Sequence, residues 1–342
     1  MKRYVPAEWV KQDAVWVTWP CSDQWWKNSR AESLSAFANL TAAISRFEKV
    51  RVNCAADKTE FARKILRENG RCDFANVEFY PHETNDVWCR DSGAIFRVGG
   101  GVLDALDFKY NAWGEKFPPW DLDDALASKM ASAAGVKSER VPLTCEGGAL
   151  EFDGRGTLLT TDCVVLNKNR NPHIDRRAAE KIFAEYCGAE KTVWLSDGLF
   201  NDDTDGHIDN LARFAPEGKI LAAVCEKSNP SYGQLSANLE ILKNASDAEG
   251  KRFDVVELPV PSEPIFCKYY DGSERRLPAS YANYLVVNGA VLVPTYNLGS
   301  DFAAMEIIGG CFGGREIVGV DSRVFLLEGG AVHCLTQQQP SI

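Results

Sequence analysis

The chain has no Cys-x-x-Cys pair, although eleven cysteines are scattered singly along its 342 residues. That spacing and the odd count speak against a disulfide framework and a cysteine-based zinc site, and predict that most of the thiols are buried, reduced and inert. Histidine is scarce: there are four, and no His-x-x-x-His pair, so the usual zinc-hydrolase spacing is missing. No Gly-x-Gly-x-x-Gly opens a helix, and Gly99-Gly-Gly101 falls between two strands, where a nucleotide loop would not be. No run approaches the ~20 apolar residues of a membrane span. Met1-Lys-Arg-Tyr-Val-Pro-Ala-Glu-Trp9 has basic residues without a following apolar stretch, so no secretory signal is expected. Positive charge is in deficit too: 38 Lys and Arg against 48 Asp and Glu give a net charge of −10, which disfavours nucleic acid and anionic membranes as partners. A cytoplasmic location is expected, in which the glycosylation sequons at Asn39 and Asn244 carry no meaning.

What is present is a repeat. Glu328-Gly-Gly-Ala-Val-His-Cys-Leu-Thr336 is expected to put Cys334 at the end of a short apolar strand, behind a glycine pair that lets the backbone bend sharply. An acid, two glycines and a small apolar strand also open Glu146-Gly-Gly-Ala-Leu-Glu-Phe152. Looser copies are Asp91-Ser-Gly-Ala-Ile-Phe96 and Asp205-Gly-His-Ile-Asp-Asn210. The acids at 91, 146, 205 and 328 are 55, 59 and 123 residues apart, the last interval being about two of the others. These are read as like positions of one repeating unit, with Cys334 facing the acids of the other copies.

The apolar periodicity fits that unit. Strands are expected at Ala14–Trp19, Val50–Ala55 and Val77–Tyr80, with helices at Arg30–Phe47 and Thr59–Glu68 and a polar loop through Asn85–Asp91. A hairpin follows (94–98, 102–108), then helix 122–134 and strand 141–143. The same order is expected at 149–161, 176–186 and 192–195, at 211–224, 233–244 and 254–258, and at 281–294, 301–312 and 317–319. A further strand is expected at Val324–Leu327. A ββαβ unit every ~60 residues, repeated radially, predicts a five-bladed α/β propeller as one domain over residues 1–342. A doubly wound α/β sheet is the alternative.

Cys334 is the candidate nucleophile, because it follows His333 and lies past a glycine bend. Its thiolate needs a neighbouring cation, and in an acidic pocket that cation is the substrate. Asp202-Asp-Thr-Asp-Gly-His-Ile-Asp209 fails as a calcium loop: counted from Asn201, Gly206 fits the sixth position but the twelfth is Ala212. What remains is His-x-Asp. If extended, it would point His207 and Asp209 to one side and suit proton transfer near neutral pH. His82, His173 and His333 are read as structural, His333 as a supporting neighbour. Asp91, Glu146, His207, Asp209 and Cys334, together with the Asp86-Val-Trp-Cys-Arg-Asp91 aromatic, make a set that suits a planar cation. Carboxylates pair with guanidinium, an aromatic stacks on it, and the central carbon stays open to sulfur.

These residues resemble the agmatine deiminase / bacterial peptidylarginine deiminase family of guanidino-group-modifying enzymes. The resemblance rests on Pro6-Ala-Glu-Trp9, Asn85-Asp-Val-Trp-Cys-Arg-Asp-Ser-Gly93, Asn111-Ala-Trp-Gly114, Glu146-Gly-Gly148, Gly156–Thr161, Asn167-Lys-Asn-Arg-Asn-Pro172, Thr204–Asn210, Pro278-Ala-Ser-Tyr-Ala-Asn283 and His333–Pro340. It implies a five-bladed α/β propeller of the pentein type, with neither metal nor organic cofactor. It also implies hydrolysis of agmatine to N-carbamoylputrescine and ammonia, a step of polyamine metabolism. Cys334 would form a covalent thiouronium, and His207 would protonate the leaving ammonia and activate water. Glu146 would orient His207, Asp91 and Asp209 would hold the guanidinium, Trp88 would line the channel, and Asp203 would meet the far amine. The chain departs from the family at Ala94, at Glu115-Lys-Phe-Pro-Pro-Trp120, expected to border the pocket, and at Glu328-Gly-Gly-Ala331. Agmatine is preferred over arginine, whose carboxylate would meet an acidic pocket with no arginine to receive it. Deimination of peptidyl-arginine is the nearest rival, a non-catalytic binder of guanidino compounds is a rival of another class, and a homo-oligomer is left open.

Overall fold

The computed structural model describes residues 2–21, 30–268 and 272–342. Strands β1 (Gln12–Thr18), β2 (Lys49–Asn53) and β3 (Val77–Tyr80) begin the chain. They are followed by β4 (Ile95–Gly99), β5 (Val102–Lys109) and β6 (Ser138–Thr144), then β7 (Glu151–Phe152), β8 (Thr157–Thr161) and β9 (Lys191–Leu195). The second half holds β10 (Ala212–Ala215), β11 (Lys219–Val224), β12 (Asp254–Pro259), a small hairpin β13 (Phe266–Lys268) and β14 (Glu274–Arg276), β15 (Leu285–Val287), β16 (Ala290–Thr295), β17 (Glu316–Asp321) and β18 (Thr336–Pro340).

Five of the sheets share one plan. A first strand pairs antiparallel with a second, and the second pairs parallel with a third, in β4-β5-β6, β7-β8-β9, β10-β11-β12 and β15-β16-β17. The parallel step requires a crossover. It is made by helices α1 (Arg30–Ser45), α3 (Leu126–Ala133), α4 (Arg176–Ile182), α5 (Tyr232–Asn244) and α6 (Ser300–Cys311). The fifth sheet is built from both ends of the chain: β18 pairs antiparallel with β1, and β1 pairs parallel with β2. Helix α2 (Thr59–Asn69) then leads to β3 on the far edge, ending where Gly70 takes the left-handed conformation at φ 71°. Middle strands such as β16 read as unbroken apolar runs because both faces are covered. No described helix is long and apolar enough to cross a membrane.

Two expectations fail at the C-terminus. Val324–Leu327 is not a strand but lies in helix α7 (Arg323–Leu327), whose buried Phe325 packs edge-on against Phe37 of α1 at 5.2 Å. Cys334 does not end a strand either. It sits in the turn before β18, since Gly329 at φ 104° and the contact of Gly330 with Trp88 break the extended run. The β13-β14 hairpin has no counterpart in the periodicity. The loop expected at Asn85–Asp91 ends in a helical turn, Cys89–Ser92.

Candidate active site

The loop leading into the first strand of each of the five sheets carries a site residue. Asp91 lies in the turn before β4, Glu146 begins the Gly147–Ala149 turn before β7, and His207 begins the Ile208–Asn210 turn before β10. Asn283 stands two residues before β15 and Cys334 two before β18. The stretch at His207–Asp209 is thus a 3-10 turn rather than extended. Both side chains still face one glycine: a Cβ on Gly148 would fall 2.6 Å from His207 Nδ1, 2.7 Å from Asp91 Oδ1 and 3.1 Å from Asp209 Oδ2.

All five groups are buried. Cys334 Sγ lies 3.7 Å from Asp209 Oδ2 and accepts an N–H from Asn283 Nδ2 at 3.0 Å. Asp209 Oδ2 also meets His333 Nδ1 at 2.8 Å, while its Oδ1 has no hydrogen-bond partner among the described residues. Asp91 accepts from the indole N–H of Trp113 and the backbone N–H of Gly148, both at 3.0 Å. The His207 ring lies 3.4 Å from Glu146 Oε2 by Nε2 and 3.6 Å from Asp91 Oδ1 by Nδ1. Glu146 in turn accepts from Arg170 Nε at 2.9 and 3.2 Å. Arg170 continues to Asp205 and to the Thr204 carbonyl.

These contacts set the proton affinities. Burial pulls the His207 imidazole down, but Asp91, Glu146 and Asp209 outweigh it and raise its pKa to about 9. Burial pushes Asp91 up to about 6, with His207 opposing and Asp209 and Glu146 reinforcing. Burial also works against the charge on Glu146, yet Arg170 and His207 hold it below the usual carboxylate range. Burial, then Asp209 and Asp91, push the Cys334 thiol well above its ordinary value. Without a cation the sulfur stays protonated, 3.7 Å from a carboxylate oxygen of Asp209.

Asp91 and Cys334 reach a cavity of about 50 Å³ whose lining also includes Asp86, Trp88, Trp113, Phe117, Asp203 and Glu328. Trp88 is pressed against Gly330, where a Cβ would lie 2.3 Å from its ring. Phe117, within the segment expected to border the pocket, does line it. Trp113 sits in a left-handed stretch, residues 112–115, with φ between 50° and 87°. A groove of about 780 Å³ between α1 and β17 is larger but contains neither cysteine nor histidine.

Asp203 lines the pocket but is not an open anchor: its Oδ1 accepts from Arg275 of β14 at 2.7 Å. The expectation that no arginine stands near the pocket is therefore corrected, because the unforeseen hairpin brings one. The periodicity also left unassigned Arg170, Trp113, Glu8 and Asn283. The 123-residue interval signalled a missing copy, but its midpoint falls near residue 266, well short of Asn283.

A sequence model of the family described as Porphyromonas-type peptidyl-arginine deiminase matches residues 4–340. An agmatine deiminase of Pseudomonas syringae pv. tomato is 37% identical, over 99% of this chain and 95% of that protein. The structure of Enterococcus faecalis agmatine deiminase, described as catalysing its reaction, superposes with a TM-score of 0.92 at 30% identity, over 99% of this chain and 96% of that one. A Campylobacter jejuni agmatine deiminase with one cysteine replaced by serine and substrate bound gives 0.88 at 33% identity, over 99% and 97%.

Proposed function

The chain belongs to the Porphyromonas-type peptidyl-arginine deiminase family, and on that premise we propose that it hydrolyses agmatine to N-carbamoylputrescine and ammonia through a thiouronium on Cys334. The observation that carries this is the buried, unpartnered Oδ1 of Asp209. Its sister oxygen meets both His333 and the Cys334 sulfur, so the open oxygen stands beside the nucleophile. Guanidinium N–H groups donated to Oδ1 and to the remaining lone pairs of Asp91 would hold the central carbon close to that sulfur.

The bound cation offsets the carboxylates that oppose ionisation, the thiol proton leaves to water, and the thiolate attacks the guanidinium carbon. The His207 imidazolium gives its proton to one amino group as the C–N bond breaks and ammonia departs, leaving carbon bound to sulfur. The neutral imidazole then takes a proton from water, and the resulting hydroxide adds to the same carbon. The C–S bond breaks, the hydroxyl proton passes to solvent, the ureido product forms and the thiolate returns. Glu146, held by Arg170, fixes the ring of His207. Trp88, with Trp113 and Phe117, flanks the methylene chain. The acids Asp203 and Glu328 give the far ammonium a negative mouth, while burial, with Asp123 and Glu328 nearby, pushes Asp86 towards its neutral form.

In this reading residues 1–342 are one domain, and the five like sheets are blades of a propeller whose lead-in loops meet on its axis. The free cysteines fit a reducing cytoplasm. Mass spectrometry of enzyme quenched with agmatine should find an adduct on the Cys334 peptide, alongside faster turnover of agmatine than of arginine or peptidyl-arginine. Fastest turnover of arginine would overturn the substrate, and an adduct-free Cys334 would overturn the mechanism.

A further inference from the structure

Asn283 touches the reactive sulfur, yet the reaction above gives it no task. Its carboxamide can sit only one way round. Oδ1 accepts from the backbone N–H groups of His333 and Cys334 at 3.0 and 3.3 Å, so Nδ2 is the end turned towards Sγ, at 3.0 Å. The other Nδ2 hydrogen is spent on Asn210 Oδ1 at 3.1 Å. The residue is fully buried, and its carbonyl accepts the His333 N–H as well. One side chain therefore grips the nucleophile's backbone with its oxygen and the nucleophile's sulfur with its nitrogen. Asn283 also fills the repeat position that the other four sheets give to Asp91, Glu146, His207 and Cys334.

The sulfur's surroundings divide by charge. Asp209 at 3.7 Å and Asp91 oppose a thiolate, while the Asn283 N–H and the Ala331 backbone favour it. In the free enzyme the S–H points at Asp209 Oδ2, so the thiol is satisfied as donor and as acceptor. A cation over Asp209 weakens that acceptor and leaves the Asn283 donor in place. A donor contact is weak to a thiol and charge-assisted to a thiolate.

We propose that Asn283 is a positioning residue for the nucleophile, holding Sγ at the pocket floor and stabilising its thiolate by the Nδ2–H contact. This rests on Cys334 being the nucleophile, but it can be tested without any substrate. The rate at which iodoacetamide alkylates Cys334, read on its own peptide at fixed pH below the thiol's ionisation, follows the thiolate fraction. N283A should lower that rate roughly tenfold, and cut kcat for agmatine by roughly ten- to hundredfold with KM changed less. N283D keeps an acceptor oxygen for both backbone N–H groups, so it preserves the loop. By setting a carboxyl against the sulfur it should lower alkylation at least as far. If N283A does not fold, N283D decides alone. Unchanged Cys334 alkylation in a variant with wild-type circular dichroism overturns the proposal. A wild-type enzyme that ignores agmatine while the alkylation shift remains overturns the substrate assignment and leaves this inference standing.

Discussion

Glu8 Oε2 and His333 Nε2 lie 2.8 Å apart across 325 residues of chain. The other ring nitrogen is 2.8 Å from Asp209, so the imidazole next to Cys334 is clamped between two carboxylates. Burial and the guanidiniums of Arg213 and Arg90 work against a charge on the ring. A bare nitrogen lone pair cannot face a carboxylate at that distance, however, so each gap holds a proton. Glu8 also accepts from Arg213 at 2.8 Å and from the Val286 backbone at 2.7 Å, which ties the N-terminal loop to the floor of the site.

E8Q should therefore be costly. It removes a charge on which buried Arg213 and His333 depend, a loss of about 3–5 kcal/mol. Burial raises and Arg213 and His333 lower the Glu8 pKa, the net being well below the usual range. Its contribution is thus present at neutral pH and fades as pH falls below the ordinary carboxylate value. Urea unfolding at pH 7 and pH 4 checks this, and equal midpoints for E8Q and wild type at pH 7 would contradict it.

The pH–rate profile should be lopsided. With His207 raised to about 9 and the thiol higher still, the free enzyme near neutrality holds one proton more than the attacking state. So kcat/KM should climb about tenfold per pH unit until near 9 and then level off. Below about 6, protonation of Asp91 should make the fall steeper. In the complex the bound cation lowers the thiol's pKa, and kcat should vary less. A kcat/KM optimum at pH 7 is the outcome that does not fit.

Gly148 should tolerate no side chain. A Cβ there would come within 2.6 Å of His207 Nδ1 and 2.7 Å of Asp91 Oδ1. G148A should cost about 1–3 kcal/mol of stability by overpacking, and about a hundredfold or more in kcat through displaced catalytic groups. Gly233, with no described atom near its Cβ position, supplies the control: G233A should leave kcat unchanged. Wild-type kinetics in G148A would remove Gly148 from the site.

The Asp203–Arg275 pair should set agmatine affinity. Freed from the 2.7 Å contact, Asp203 offers its full charge to the far ammonium. R275A should lower KM for agmatine several-fold, D203N should raise it, and kcat should move little in either, as expected for binding remote from the reacting carbon. Steady-state kinetics of both variants suffice, and a rise in KM for R275A would place the amine elsewhere.

Much of this was legible in the chain before folding. Strand Val77–Tyr80 and helix Thr59–Asn69 follow from apolar spacing and a glycine stop, because local backbone preference and one-sided burial act over a few residues. The repeated acid-glycine-strand pattern marked Asp91, Glu146 and the His207 region for the same reason: each copy is a local solution to the same bend. Val324–Leu327 misled, since a short apolar run satisfies a helix as well as a strand until Phe37 supplies its packing partner. Asn283, Arg170 and Arg275 had no local chemical signature. An amide against a sulfur or a guanidinium behind a carboxylate means something only once distant loops are brought together.

The sequence by itself determined the repeating unit, the candidate nucleophile and the sign of the charge it needs, because these depend on residue type and on neighbours along the chain. Tertiary structure alone decided which oxygen of Asp209 stays open, that His207 is held protonated, and that an arginine reaches Asp203. Proton affinity and pairing depend on burial and on distances of a few ångströms between residues far apart in the chain, which sequence spacing does not encode.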